Sequence, residues 1–474
     1  MTGRSATGGI SLVAGRRGAL RYVANQFGCD LGRPPPATIY LLRREDHLNM
    51  PYTRRALLRT GTAAIGSLAV VGAGTAAEQW SYSPVSVAPV AGVTDCALQD
   101  GWAYAANFRG ITTYDLSDPS SPAPGGFAPG NFSSQDNRDV KVDGDLAGIA
   151  DNRETPGGGV TFYDVSDPSS PAEVSFYDAE TDVHNHFIHG EYAYLVQDDG
   201  MGVVDVSDPS EPTGVGRWRL RDFRPQLAED TADNLHDIYV QDDYCYLAYW
   251  DAGTVVLDAT DPTDLRPVAH FGAYDGEDGA EGGNPQNVHY VQPTPDRAYT
   301  IAGAETFFST PHGGTAIYHT PTLADYEPDK LDSIVPLAGD VDGETGGANQ
   351  RTKKSRADAF YPRPIDFVRA PSNTQDQVRT AHNSDLTNDK LFTAWYQGGI
   401  RAYDFGSIRA QDGEGGELAE IAAWDPEGGD FFWSAENLAA AMDADADRYY
   451  TVGSDTGKGL HVLELSHADG GSVL

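Results

Sequence analysis

Four stretches of the chain repeat one phrase: YDLSDPSSP (114–122), YDVSDPSSP (163–171), VDVSDPSEP (204–212) and LDATDPTDL (257–265). Each stretch follows an apolar run and contains an Asp-Pro turn signal. Self-similarity with a period of about 45 residues is typical of solenoids and propellers. The repeat therefore determines the fold class before any single residue is considered.

The clearest copy runs from His236 to Phe271 and shows what one repeat contains. It has four short runs rich in Val and Tyr, which are HDIYV, YCYLAYW, TVVLDAT and RPVAHF, and Asp, Gly or Pro separates each from the next. Short alternating runs bounded by turn residues are typical of β-strands. Four antiparallel strands in a repeat of this length predict a β-propeller blade, so we expect an all-β chain with very little helix.

Seven such copies predict a seven-bladed β-propeller. Besides the copy at His236, the others begin near Thr94, Arg138, His184, His289, His382 and about Asn437. A strand at about 85–90 precedes the first copy, and we expect it to become the outer strand of the last blade. This arrangement closes the ring and removes its exposed sheet edges. A polar insertion at about 339–377 is expected to join the fifth blade to the sixth.

The composition is strongly acidic. The 474 residues include 70 Asp and Glu against 33 Lys and Arg, for a net charge of -37, and only six of the basic residues are Lys. Many carboxylates and few lysines indicate a surface made for high salt, with an ordinary acidic secreted protein as the alternative. Such a surface argues against nucleic acid as a partner, because phosphates need a basic footprint.

The first 77 residues differ from the rest, with three acidic residues and ten Arg. The segment Thr53-Arg54-Arg55-Ala56-Leu57-Leu58 resembles a twin-arginine export signal, and a small-residue apolar run, 61–77, follows it. We expect residues 50–77 to be a signal peptide and 78–474 to be the propeller. Residues 1–49 are expected to be disordered or to lie upstream of the true start. The protein is then extracellular or at the cell surface, and membrane-bound only if the signal stays uncleaved.

The phrase also resembles a known family. An apolar strand, a Gly, three or four apolar residues and then D-[VLA]-[ST]-D-P is similar to the LVIVD-repeat family of extracellular β-propellers, in its haloarchaeal, twin-arginine exported form. Residues 192–209 and 244–262 fit this pattern well. The resemblance is strong over 94–272 and weaker over 287–467, where Asp404 remains but the Asp-Pro turn is lost. It implies the fold and secretion and little chemistry, since propellers host many unrelated functions.

Histidines recur at one position of the repeat. When the second strands are aligned on Tyr194, Tyr246, Tyr299 and Phe392, the residues ten positions earlier are His184, His236, His289 and His382. The chain has only 12 His, so the coincidence is informative. The position begins the innermost strand of each blade, where side chains point towards the central channel.

Converging neutral imidazoles on a rigid frame are what a transition metal such as iron, copper or zinc requires. Carotenoid-cleaving oxygenases have a similar arrangement, four His holding iron on a propeller axis, and the likeness is one of architecture only. Two alternatives stay open. The His can be a fold element inherited with the repeat, or it can serve a ligand that is not a metal.

Further candidates surround this position. The residues that follow the His include Asn185, Asp237 and Asn383, which could orient the imidazoles. Loops between second and third strands add rim residues: Arg153, Trp250, Asp251, Glu305, His312 and Tyr396. A mouth of this kind suits a small polar ligand. Two functions are therefore predicted. The first is a binding module whose ligand is a small polar molecule or a cell-surface protein, and the second is a metal-dependent oxidoreductase. The sequence leaves open whether the chain is an enzyme.

Overall fold

The computed structural model describes residues 80–130, 139–152, 158–197, 200–225, 234–274, 284–306, 313–320, 364–371, 378–426, 431–441 and 448–467. These residues form seven sheets of four antiparallel strands each, which confirms the predicted seven-bladed β-propeller. Within these ranges the helices are short: α1 (Leu220–Phe223), α2 (Gly406–Ala410) and two 3-10 turns. No helix in this part of the chain is long and apolar enough to cross a membrane.

The strands follow the chain blade by blade. Blade 1 contains β2 (Val93–Gln99), β3 (Trp102–Asn107), β4 (Gly110–Asp115) and β5 (Ala123–Pro129). Blade 2 contains β6 (Val140–Asp143), β7 (Leu146–Asp151), β8 (Gly159–Asp164) and β9 (Ala172–Asp178). Blade 3 contains β10 (His186–His189), β11 (Tyr192–Gln197), β12 (Gly200–Asp205) and β13 (Thr213–Trp218). Blade 4 contains β14 (Leu235–Gln241), β15 (Tyr244–Tyr249), β16 (Gly253–Asp258) and β17 (Arg266–Phe271).

The remaining blades complete the ring. Blade 5 contains β18 (Val288–Pro293), β19 (Tyr299–Ala304), β20 (Gly314–His319) and β21 (Pro364–Arg369). Blade 6 contains β22 (Ala381–Leu386), β23 (Lys390–Trp395), β24 (Gly399–Asp404) and β25 (Ala419–Trp424). Blade 7 contains β26 (Phe432–Asn437), β27 (Arg448–Asp455) and β28 (Gly459–His467), and its outer strand is β1 (Trp80–Ala88).

Pairing of the two ends of the described chain closes the ring. β1 runs antiparallel to β28 from Trp80, opposite His467, to Ala88, opposite Leu460. This confirms an N-terminal closing strand, which begins five residues earlier than the predicted 85–90. Each innermost strand contacts the next one around, including β26 against β2. The seven innermost strands therefore surround one central channel.

The repeated phrase forms a turn held by its own side chains. Asp164 accepts hydrogen bonds from the Ser166 backbone N–H at 2.9 Å and from the Ser166 hydroxyl at 2.6 Å. Asp167 makes the same pair of bonds with Ser169, at 3.1 and 2.6 Å. An Asp that bonds two residues ahead is a turn former, because it replaces the backbone partner the turn lacks. These aspartates serve the fold.

Apolar side chains between neighbouring blades form the core. Between blades 4 and 5, for example, Phe271 and Tyr318 pack with ring centroids 5.0 Å apart, beside the fully buried Tyr246. Cys96 and Cys245 are both free and buried in such layers. These apolar layers hold each blade against the next one around the channel.

Two sequence expectations about blade boundaries are wrong. The seventh copy begins at Phe432, about five residues before the expected Asn437, because β26 and β27 are separated by a longer connection than in other blades. The fourth strand of blade 5 lies at 364–369, inside the expected insertion. The long segment therefore joins the third and fourth strands of blade 5. Those strand ends lie on the face opposite the one where innermost strands begin.

Candidate metal site in the channel

A β-bulge recurs where the innermost strands begin. The pairing register shifts between Leu235 and Asp237 in blade 4 and between Val288 and Tyr290 in blade 5. Blades 1, 6 and 7 shift at the same place. A bulge adds one residue to a strand, so it re-aims side chains and lets two successive residues face one side.

Blade 3 reaches the same geometry through two hydrogen bonds. The His184 N–H donates to the Val196 carbonyl at 3.1 Å, and the Val196 N–H donates to the Asn185 carbonyl at 2.9 Å. Both residues thus oppose Val196, as at a bulge. His184 and Asn185 accordingly line the same cavity in the channel.

The four predicted histidines lie side by side in this cavity and are named here the histidine arc. Ring centroids are 4.2 Å apart for His184 and His236, 4.1 Å for His236 and His289, and 4.2 Å for His289 and His382. The rings of neighbours are inclined to one another by 41° to 74°. The structure thus brings the four predicted residues side by side in one cavity, and that they bind a common metal stays a prediction.

Burial keeps the imidazoles of the arc neutral. Desolvation lowers the pKa of His184, and it lowers the pKa of His236 and His289 well below the ordinary value, with neighbouring imidazoles adding to the effect. For His382 burial lowers the pKa to about 3. Neutral imidazole is the form that binds metal ions. The arc is therefore in its ligating form at neutral pH.

Hydrogen bonds to Nδ1 orient the two ends of the arc. His382 Nδ1 lies 2.6 Å from the Trp433 carbonyl oxygen, so Nδ1 carries the proton and Nε2 keeps its lone pair. His184 Nδ1 lies 3.0 Å from Nδ2 of Asn152, whose N–H donates to it, so the ring proton of His184 is on Nε2 unless the amide is turned by 180°. At the centre of the arc, Nδ1 of His236 and of His289 are buried without a hydrogen-bond partner in the described chain.

Glu305 joins the arc. One ligating atom each from His236, His289 and Glu305 lie within 4.8 Å of one another, and all three side chains are buried. The Glu305 Oε2 atom is 3.7 Å from His289 Nε2, and its Oε1 accepts a 2.5 Å hydrogen bond from the Tyr396 hydroxyl. Burial raises the pKa of Glu305 to about 7. The sequence placed this residue at the rim, whereas it lies against the imidazoles.

The rest of the cavity is made by blades 7, 1 and 2. Its residues there are Trp433, Thr94, Asp95 and Asp139, named here the far wall. Asp139 Oδ1 lies 2.5 Å from Lys141 Nζ, and Asp95 Oδ2 lies 3.8 Å from the same nitrogen. The site is thus asymmetric, with nitrogen donors from blades 3 to 6 on one side and carboxyl groups on the other.

The other predicted residues lie in several places. Asn185 and Asn383 line the cavity beside the arc. Asp237 is buried, accepts a 2.7 Å bond from the Ile238 N–H, and has its pKa raised to about 8 by burial, against the opposing effect of Lys141. Asp251 accepts a 3.3 Å bond from the Asn287 N–H and so fixes the loop before β18. Arg153 and His312 lie outside the described residues.

Aromatic side chains surround the arc more closely than sequence reasoning indicated. Trp433 meets His382 edge-on with centroids 4.7 Å apart, and Tyr396 lies 5.0 Å from the same ring. Trp250 stacks on His236 at 5.9 Å. Trp433 occupies the repeat position held by His in blades 3 to 6. The misplaced start of the seventh copy hid this equivalence.

Comparisons with known proteins place the chain by its repeats. The family described as LVIVD repeat matches residues 92–125, 135–179, 182–219 and 234–269, which correspond to blades 1 to 4. No curated protein matches the chain.

Several solved structures match the chain at low sequence identity. The periplasmic gluconolactonase of Pseudomonas aeruginosa covers 73% of this chain and 90% of its own, at 11% identity and a TM-score of 0.49. A protein from Lactobacillus plantarum covers 75% and 95%, at 12% identity and a TM-score of 0.48. The β-propeller domain of Cps50 (Swd1) from Myceliophteria thermophila covers 81% and 99%, at 11% identity and a TM-score of 0.47. The chain is a seven-bladed β-propeller protein with LVIVD repeats in its first four blades.

Proposed function

We propose that the protein is a metal-binding propeller, in which His236, His289 and Glu305, at the centre of the histidine arc, hold a transition metal such as iron, copper or zinc. The observation that carries the proposal is that one ligating atom from each of these three buried side chains lies within 4.8 Å of the other two, with the rings of His236 and His289 4.1 Å apart. With a metal–nitrogen bond of about 2.1 Å, an imidazole centroid lies about 3.2 Å from the metal, and ligands at right angles have centroids about 4.5 Å apart. The observed spacing is close to this value.

The asymmetry of the site supports a role in binding a further ligand. The arc supplies donors from one half of the channel only, so a metal held there keeps coordination positions that face the far wall. A metal whose positions are all filled by protein is structural, whereas one with an open position can bind a small molecule. We therefore propose a binding module whose ligand is a small polar molecule held on the metal.

A metal-dependent oxidoreductase is the second candidate, and one observation favours it. His236, His289 and Glu305 form a group of two imidazoles and one carboxylate. Two His and one carboxylate with open positions are typical of non-haem iron oxygenases. The hydroxyl of Tyr396, bonded to Glu305, would fix the orientation of that carboxylate.

Metal analysis tests the proposal. Full-length protein is purified, incubated with ferrous, cupric or zinc ions, passed through a desalting column, and analysed for bound metal by mass spectrometry. We expect about one tightly bound ion in the wild type and its loss in His236→Ala, since the central ligand of the arc is gone. His319→Ala is the matched control, because this His lies at the end of β20, outside the arc.

Two results contradict the proposal. One is a wild type that retains none of the three metals. The other is full metal content in both His236→Ala and His289→Ala, which would move the metal elsewhere. Activity with a redox substrate in the metal-loaded wild type, absent in His236→Ala, would favour the oxidoreductase over the binding module.

We also propose that the protein is exported by the twin-arginine route to the cell surface or medium of a salt-adapted organism. The Arg54-Arg55 motif before an apolar run supports the route, and the net charge of -37 supports the setting. This route carries folded proteins, so a metal could be loaded before export. Recovery of peptides from residues 1–49 in the exported protein would contradict the proposed processing.

A further inference from the structure

A second cavity lies between blades 2 and 3, away from the innermost strands, and is named here the crevice. Its volume is about 230 Å³. One wall is the end of β9 in blade 2, residues 177–180, and the other is the sheet of blade 3, which contributes Gln197, Gly202, Gly214 and Arg217. The crevice shares no lining residue with the channel cavity, so it is a separate site.

The repeat shows why the crevice is found at this blade. Residues that pair across the second, third and fourth strands form a row, which in blade 4 is Leu247, Val255 and His270. In blade 3 the same row is Leu195, Gly202 and Arg217. Val255 and His270 are buried, whereas Gly202 has no side chain and Arg217 is exposed. Blade 3 therefore lacks two of the buried side chains that its neighbour carries.

The glycines of blade 3 make room for two polar side chains. A Cβ at Gly202 would lie 2.5 Å from Gln197 Oε1, and a Cβ at Gly214 would lie 2.6 Å from the Tyr177 hydroxyl oxygen. A larger residue at either position would collide with the polar group. Glycine inside a strand weakens the strand, and it often marks a place that a ligand approaches closely.

Neither polar group is bonded within the part of the chain that the structure describes. Gln197 is only 9% exposed, and its amide has no hydrogen-bond partner among these residues. The hydroxyl of Tyr177 also has none there. Buried polar groups are nearly always hydrogen-bonded, so an amide and a hydroxyl directed into one cavity indicate a guest that bonds to both.

We propose that the crevice binds a small neutral polyol, of the size of a single sugar ring. An amide and a phenol hydroxyl each offer both a donor and an acceptor, and an alcohol is complementary to both. The exposed carboxylates of Asp178 and Glu180 stand at the rim, where they accept from further hydroxyls and disfavour an anion.

The walls of the crevice also fit this class of molecule. Leu195 and Val204 are buried lining residues, and they give the C–H groups of a sugar an apolar surface. The volume of about 230 Å³ lies below the range of about 300–1,000 Å³ that is typical of sites for drug-sized ligands, so one ring fits better than an oligosaccharide. The proposal is independent of the metal site.

Saturation-transfer NMR tests the proposal on the full-length protein. Glucose, galactose, mannose and myo-inositol are added one at a time, and glutamate serves as a charged molecule of similar size. We expect saturation transfer to at least one of the four polyols and none to glutamate. The signal should be lost in Gly202→Val, because this substitution places the side chain of Val255 at the same position of blade 3.

Tyr177→Phe is a second variant that removes only one hydroxyl. It should weaken the binding of the responding polyol by about fivefold, the value of one hydrogen bond. Tyr192→Phe is the matched control, because it makes the same change at the other end of β11, outside the crevice, and should bind like the wild type.

Several results would overturn the proposal. Absence of a signal for all four polyols would leave the crevice to water. Transfer to glutamate alone would show that the class of ligand is wrong. An undiminished signal in both Gly202→Val and Tyr177→Phe, or its loss when a chelator removes bound metal, would place the polyol elsewhere. A protein that binds the polyol without any metal would support the crevice even where the proposed metal site fails.

Discussion

At the scale of single residues, the aspartates of the repeated phrase and the histidines of the arc illustrate two uses of one repeat. Asp258 accepts hydrogen bonds from the Thr260 N–H at 3.0 Å and the Thr260 hydroxyl at 2.7 Å, which fixes a turn. The four His occupy a position where the same repeat opens towards the channel. The turns fix the register of each blade, and that register brings the four His to the same level of the channel.

Replacement of Asp258 by Ala should destabilise the protein by about 1 kcal/mol, the typical value of a hydrogen bond that leaves its partners near solvent. The two Thr260 bonds lower the pKa of Asp258, so its contribution is present above the ordinary Asp pKa and is lost as the pH falls through the lower folded value. Urea unfolding at pH 7 and at pH 3 measures the loss of stability and its dependence on pH. Asp243→Ala is the control, because it removes an exposed carboxylate from the same blade; an equal loss in the two variants would contradict the turn argument.

The residue positions of the arc could be predicted, but their exact neighbours could not. Counting ten residues back from Tyr299 found His289, although Tyr299 is not the structural counterpart of Tyr246. That counterpart is Ile301, two residues further along the second strand of blade 5. The longer turn before β19 compensated for the shift. Glu305 could not be placed, because a residue after a second strand turns inwards or outwards depending on a loop conformation that no periodicity records.

At the scale of elements, the start of each innermost strand carries the residues of the candidate site. In blade 6 the bulge lets His382 and Asn383 both line the cavity, and strand alternation alone would have turned one of them away. One strand differs: β6 carries Lys141, the cation that stands between Asp95 and Asp139. The position of Lys141 between these two acids became visible only with the strands in place.

Replacement of Lys141 by Met should destabilise the protein by up to about 3 kcal/mol at pH 7, because a mostly buried carboxylate loses its partner. The sign of the pH dependence follows from Asp139. Its folded pKa lies below the ordinary value because Lys141 outweighs burial, so the stabilisation is present above pH 4 and is lost as the pH falls further. The difference between wild type and variant should therefore shrink in acid.

Chemical unfolding at pH 7 and pH 3 measures that difference. Lys458→Met, in the exposed turn between β27 and β28, removes the same charge from the surface and should have little effect at either pH. A penalty for Lys141→Met that stays constant with pH would show that Lys141 acts through packing of its methylene chain instead.

At the scale of the whole molecule, closure and charge act against each other. The ring is closed by pairing of β1 with β28, which joins segments nearly 400 residues apart in sequence and completes the four strands of blade 7. The net charge of -37 favours opening, because like charges repel across a compact surface. Both features could be predicted from the sequence, because ring closure depends on the number of repeats and net charge depends on composition. Neither requires knowledge of side-chain geometry.

Salt should therefore stabilise the folded ring. The Debye length falls from about 10 Å at 0.1 M to about 3 Å at 1 M, so potassium chloride screens the repulsion that the excess carboxylates generate. We expect the thermal midpoint to rise by several degrees over this range, with most of the gain at the low end, because screening saturates as the Debye length approaches the spacing of neighbouring charges.

Preferential exclusion would instead give a gain that continues to grow with concentration and is larger for sulfate than for chloride. Calorimetry in the two potassium salts at matched ionic strength distinguishes the mechanisms. Equal midpoints support charge screening, a consistently higher midpoint in sulfate supports exclusion, and a midpoint that does not change with either salt would mean that the acidic surface does not limit the stability of the ring.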